Sequence, residues 1–99
     1  MYYVFICEDI ENSLELRKQH RPEHRARLEA LINEGRLMVA GPTPAIDSED
    51  PGPAGHSGSV IIAEFDSLED ARKWADEEPF LKAGVYKNVV VKPFLKTMP

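Results

Sequence analysis

Tyr2-Tyr3-Val4-Phe5-Ile6-Cys7 is the stretch on which the fold turns. Aromatic and β-branched residues dominate it, so it reads as a strand that ends at Glu8-Asp9. Both of its side-chain parities are apolar: Tyr3, Phe5 and Cys7 on one, Tyr2, Val4 and Ile6 on the other. Ser59 to Phe65 behaves alike, with Ile61 and Ala63 alternating with Val60 and Ile62. In Tyr86 to Lys92, Val89 and Val91 flank Val90. A strand with one wet face would alternate apolar and polar residues. These strands therefore predict a sheet covered on both sides.

Between the strands lie two helical segments. Glu11 to Gln19 is polar and weakly periodic, and reads as a helical turn capped by Asn12 or Ser13. Proline in a helix interior costs about 3 kcal/mol, whereas at the first helical position it costs almost nothing. The main helix is therefore expected to start at Pro22, end near Glu34 and close on a left-handed Gly35. His24, Leu28, Leu31 and Ile32 share one face of it. Leu37 to Ala40 is a second strand. Gly41 to Gly58 holds four prolines and four glycines and reads as a long loop without a period of its own, functional or disordered. Ser67 caps a second helix with Asp70 in capping-box position, and Leu68, Ala71, Trp74 and Ala75 form its apolar side. Pro79 opens a short turn that Gly84 stops, and Pro93 ends the last strand.

The order β-α-β-β-α-β predicts one domain over residues 1–99. Its class is α+β, a ferredoxin-like four-stranded, mostly antiparallel sheet with both helices on one face. Two helices leave the second sheet face bare. A second copy of the chain is its expected cover, giving a homodimer packed sheet to sheet. The alternative is that the long loop or the C-terminal tail folds beneath it.

Seventeen acidic against twelve basic residues leave a net charge of -5. Such a chain has no electrostatic attraction to nucleic acid or to an anionic membrane surface. A hydrophobic share of 42% and a charged share of 29% are ordinary for a globular domain. Cys7 is the only cysteine, so no disulfide forms within the chain. The opening residues turn acidic too quickly for a signal peptide, and every apolar run is strand-sized. The expected setting is the cytoplasm.

His24 is the most suggestive polar residue. In the first turn of a helix starting at Pro22, the unpaired N–H groups would disfavour imidazolium and leave a proton acceptor. The bland reading is a buried histidine bonded to a backbone carbonyl. Asp9 shares the parity of Tyr3, Phe5 and Cys7 and is placed to orient that imidazole, unless it caps the following turn. Glu8 has the opposite parity and ranks lower. His20 and His24 have metal-ligand spacing on one helix, but Pro22 between them and the lack of a third ligand argue against a metal. Ser59 lacks the Gly-x-Ser-x-Gly elbow of a nucleophile and reads as a hydrogen-bond donor. Gly41 and Pro42 bring backbone close to a ligand at the rim of the same pocket. His56 lies in the long loop, over the site or merely solvated. Phosphate-binding glycine motifs are absent. Trp74 reads as core, and Glu69, Asp70, Asp76, Glu77 and Glu78 as a solvated acidic helix end.

Arg21-Pro22-Glu23-His24-Arg25-Ala26-Arg27-Leu28, Glu34-Gly35-Arg36-Leu37, Ala40-Gly41-Pro42 and Asp47-Ser48 together resemble the YciI-like (YCII-related) family. Gly58 to Phe65, Ala83-Gly84-Val85-Tyr86 and Val91-Lys92-Pro93-Phe94 extend the resemblance over nearly the whole chain. The resemblance implies a ferredoxin-like fold that dimerises in the manner of muconolactone-isomerase-like barrels. It also implies a His–Asp active site at His24 and Asp9, with Ser59 lining the pocket. His56 stands where an aromatic residue is expected. Dehydrochlorination of a hydroxylated aromatic ring is attributed to a related member. The expectation is a small enzyme without cofactor, doing lyase- or isomerase-type proton chemistry on a small organic substrate such as a hydroxylated aromatic or a lactone. The alternative is a non-catalytic dimeric module that binds such a molecule.

Overall fold

The computed structural model describes residues 1–99. Four strands, β1 (Tyr2–Asp9), β2 (Leu37–Pro44), β3 (His56–Glu64) and β4 (Tyr86–Phe94), form one sheet in the order β2-β3-β1-β4. Every pairing is antiparallel, with Phe5 opposite both Ile61 and Val91. Helices α1 (Leu14–Asn33), α2 (Leu68–Asp76) and the single turn α3 (Pro79–Lys82) pack on one side. This is the expected ferredoxin-like α+β architecture. Tyr3, Phe5, Cys7, Ile61 and Ala63 supply the sheet's half of the core, and Leu31, Ala71, Ala75 and Phe80 supply the helical half.

The main helix does not start at Pro22. It begins at Leu14 behind Ser13 and runs through the proline without a break. Proline removes one backbone bond there, but both halves of the helix are anchored independently. Arg17, His24 and Leu31, spaced seven apart, are its buried residues. Burial and pairing at those three positions outweigh the local cost at Pro22, which itself faces solvent. His24 consequently sits mid-helix, away from the N-terminal field of α1. Gly35 closes the helix at φ +72°, as expected.

Strands extend further than their apolar runs. β2 continues through Pro42 to Pro44, and β4 continues through Pro93 to Phe94. Both are edge strands, where a missing N–H leaves no partner unsatisfied. β3 starts at His56 rather than Ser59, so the irregular connection shrinks to residues 45–55. Gly58 lies where β3 crosses close to β1: a Cβ there would fall 2.0 Å from the Cys7 carbonyl oxygen. Ser67 caps α2 by accepting from Asp70 N–H at 3.0 Å, as read from the sequence.

The far side of the sheet carries Val4, Ile6, Val60, Ile62, Val39 and Val90, aligned by the register across all four strands. Ile6 is 46% and Val39 51% exposed, so the chain itself does not cover this face. Leu95 and Met98 of the tail are exposed and not folded beneath it.

Candidate functional site

A cavity of about 400 Å³ lies between α1 and the β2–β3 half of the sheet. His24, Ser59, Gly41 and Pro42 all line it, as does His56. Sequence reasoning thus placed these four in one hollow, although it set Gly41 and Pro42 in a loop rather than on a strand.

Asp9 is buried but does not touch His24, so the expected His24–Asp9 pair does not form. Its carboxylate receives Arg17 Nε at 2.6 Å and Nη2 at 2.9 Å, and the Ser13 hydroxyl at 2.5 Å. Ser13 therefore spends its side chain on Asp9 rather than on capping α1. Arg17 Nη2 also donates to the Gly58 carbonyl at 2.9 Å and to Ser59 Oγ at 3.0 Å. The bidentate pair ties β1 to α1 and locks both to the start of β3. Asp9 stands one residue behind the cavity, with Arg17 in between.

The carboxylate on His24 belongs to Glu78. His24 Nδ1 hydrogen-bonds to Glu78 Oε1, and the ring stacks on Phe80 at 4.1 Å and 11°. Glu78 was read as part of a solvated acidic end, yet it is only 2% exposed. The turn into Pro79 draws it inward: Oε1 accepts from Phe80 N–H at 3.3 Å and so caps α3. Its Oε2 receives Arg27 Nη1 at 3.2 Å. Arg27 in turn donates to the Trp74 carbonyl at 3.0 Å and lies over the Trp74 ring at 4.3 Å. With Nδ1–H committed to Glu78, Nε2 has no protein partner and is not sealed from solvent, so it is the nitrogen left for the cavity.

His56 is half-buried on β3, not loose in a loop, and its Nδ1 is buried without a partner. Burial, and after it the Arg17 and Arg21 charges, push its pKa below the ordinary histidine value. His20 faces Glu23 at 3.4 Å, and no three His, Cys, Asp or Glu side chains gather as a metal site would need. Buried Cys7 has its thiol pushed up to about 12 by desolvation, and desolvation also raises the Tyr86 phenol.

Glu78, Arg17 and Arg27 escaped the sequence reading. The seven-residue spacing Arg17–His24–Leu31 and the Glu-Pro step before a short helix were the available signals. Neither stands out while charged side chains are assumed to face water.

The YCII-related domain family matches residues 1–95. The chain belongs to the YCII-related family. Protein YciI of Escherichia coli is 57% identical to this YCII-related chain over 96 residues, covering 97% of it and 98% of that protein. A Haemophilus influenzae protein is 52% identical over the same length, with equal coverage. Among solved structures, the 5-chloro-2-hydroxyhydroquinone dehydrochlorinase of Burkholderia phenoliruptrix, in complex with 2,5-dihydroxybenzoquinone, is similar to it. The TM-score is 0.83 at 26% identity, covering 96% of this chain and 94% of that one.

Proposed function

We propose that this chain is a small enzyme in which His24 moves a proton to and from a hydroxylated ring compound or a lactone. The carrying observation is the placement of His24: Nδ1 is held by buried Glu78, Nε2 is free, and the ring lines a 400 Å³ cavity. A carboxylate on one ring nitrogen fixes orientation and tautomer, so the other nitrogen can accept or return a proton. Asp9 acts one step back, positioning Arg17 and through it Ser59. The similar dehydrochlorinase supports a ring substrate. Loss of H⁺ and Cl⁻ is an elimination with no net oxidation, so base catalysis can carry it without a cofactor.

The proposal extends to a homodimer joined through the open sheet face, where Ile6, Val39 and their aligned neighbours form one apolar surface. A two-fold pair buries the same residues from both copies. It leaves the cavity, which lies on the helical side, untouched. A cytoplasmic setting accords with the single unpaired Cys7.

The test is turnover of 5-chloro-2-hydroxyhydroquinone and a panel of hydroxylated aromatics and lactones by wild type, His24→Ala and Glu78→Gln. General acid–base catalysis typically contributes 10²–10⁴-fold, so His24→Ala should lose roughly that in kcat. Glu78→Gln should lose less, since it keeps an acceptor near Nδ1. An unchanged rate in His24→Ala contradicts the proposal. Binding of these compounds with no turnover leaves a binding module instead.

A further inference from the structure

His24 accounts for only part of the polar wall. Arg17, Arg21 and Arg25 also line the cavity, four residues apart along α1. That spacing stacks them on one helix face at successive turns, with Cα positions about 6 Å apart along the axis.

Arg17 is only 5% exposed and rigidly held. Its Nε and Nη2 are occupied by Asp9, Gly58 and Ser59. Nη1 alone has no partner, and it is not sealed from solvent. Asp9 compensates the charge of Arg17, so Nη1 offers a fixed hydrogen bond rather than net charge. The net charge comes from Arg21 and Arg25, which make no ion pair with any group of the protein. Glu29 is the only acidic side chain on the lining. A chain of net charge -5 thus gathers unpaired arginine at this histidine-lined hollow. Burial first, then Arg17 and, more weakly, Arg21 lower the pKa of His56, with Asp9 opposing them. The remaining wall is apolar, with Leu28, Leu37, Ala40 and Ile61.

We propose that the cavity recognises a small organic carboxylate: the carboxylate is received by Arg17 Nη1 and drawn in by Arg21 and Arg25, with a ring or short hydrocarbon body against the apolar wall. This rests on reading the cavity as the substrate site. Arg17 Nη1 gives one carboxylate oxygen a fixed donor, and the uncommitted guanidinium forks of Arg21 and Arg25 suit a planar carboxylate. The unpaired charges raise the local concentration of anions at the mouth.

Calorimetric titration of the full chain with matched ring compounds tests this. The probes are 4-hydroxybenzoate, its neutral isostere 4-hydroxybenzamide, and phenyl phosphate. Wild type should bind the acid at least tenfold more tightly than the amide, and that preference should weaken as salt rises. The double variant Arg21→Gln/Arg25→Gln changes only exposed side chains, and its melting temperature verifies folding. It should bind the acid about tenfold more weakly and the amide unchanged. Equal binding of acid and amide by wild type, binding of neither, or a preference that survives in the double variant overturns the proposal. Tighter binding of phenyl phosphate than of the acid also overturns it, in favour of a phosphate ester. The readout is binding, not turnover. A chain that selects the acid yet turns over nothing keeps this assignment and loses the acid–base reading. A chain that turns over neutral rings through His24 without selecting the acid does the reverse.

Discussion

Two carboxylates, Asp9 and Glu78, are buried against arginine, and each pairing has a measurable consequence. Removing one partner from a buried ion pair typically costs 3–5 kcal/mol, because the remaining charge has nothing to replace it. Asp9→Ala should lose about that much, since Arg17 would remain nearly enclosed. Urea denaturation measures it, and a loss below 1 kcal/mol would mean that Arg17 finds water instead. Glu78 was not legible because its charge argued for solvent, and only the fold shows that His24, Arg27 and the Phe80 N–H converge on it. Asp9 shares the core-facing parity of Tyr3, Phe5 and Cys7, but parity left turn-capping open and did not reveal Arg17 as its partner. Cys7 carries a prediction in pH. Its thiol pKa is raised by burial from 9.0 to about 12, so the folded state keeps a proton that the unfolded state releases. Stability from this group is complete below pH 9 and declines as pH rises from there toward 12, by at most about 1.4 kcal/mol per unit. Thermal melts between pH 8 and 10 should show that decline, and Cys7→Ala should reduce it; above pH 10 the buried Tyr86 phenol adds a decline of its own. At pH 8 a thiol reagent should label Cys7 only when urea unfolds the chain.

At the scale of elements, α1 holds the main disagreement between pattern and structure. Apolar spacing was visible from His24 to Leu31, and the proline rule placed the start at Pro22. The preceding turns were hidden because Arg17, their buried anchor, is charged. If the helix runs through Pro22, replacing it by alanine restores a backbone bond and removes a clash. Pro22→Ala should then raise stability by up to about 3 kcal/mol, visible as a higher melting temperature. No change would mean that the helix begins at the proline. β3 gives a second case. Gly58 has no room for a side chain against Cys7, so Gly58→Ala should cost about 3 kcal/mol or prevent folding. A fully stable variant would contradict the close β1–β3 approach. The sequence pattern ends β4 at Pro93 and leaves Pro42 and Pro44 in a loop, because proline suits only edge strands and the strand order that makes β2 and β4 edges is a tertiary fact.

At the scale of the molecule, the apolar parities of β1, β3 and β4 made the two apolar faces of the sheet legible, whereas the strand order was not. The cavity was legible in membership, through His24, Ser59, Gly41 and Pro42, but not in wiring. A paired sheet face makes a clear hydrodynamic prediction. Sedimentation should give twice the chain mass, and Ile6→Lys, set in the middle of that face, should give monomer while leaving α1 and the cavity folded. A wild-type monomer at micromolar concentration would contradict the pairing. The account depends most on the histidine's wiring, and long-range ¹H–¹⁵N correlation spectra of the imidazoles test that without any substrate. The His24 ring should show a proton on Nδ1, strongly deshielded by the Glu78 carboxylate, with that resonance displaced in Glu78→Gln and Nε2 responding when a cavity ligand is added. A ring lacking the Nδ1 proton, or one indifferent to Glu78→Gln, would contradict it.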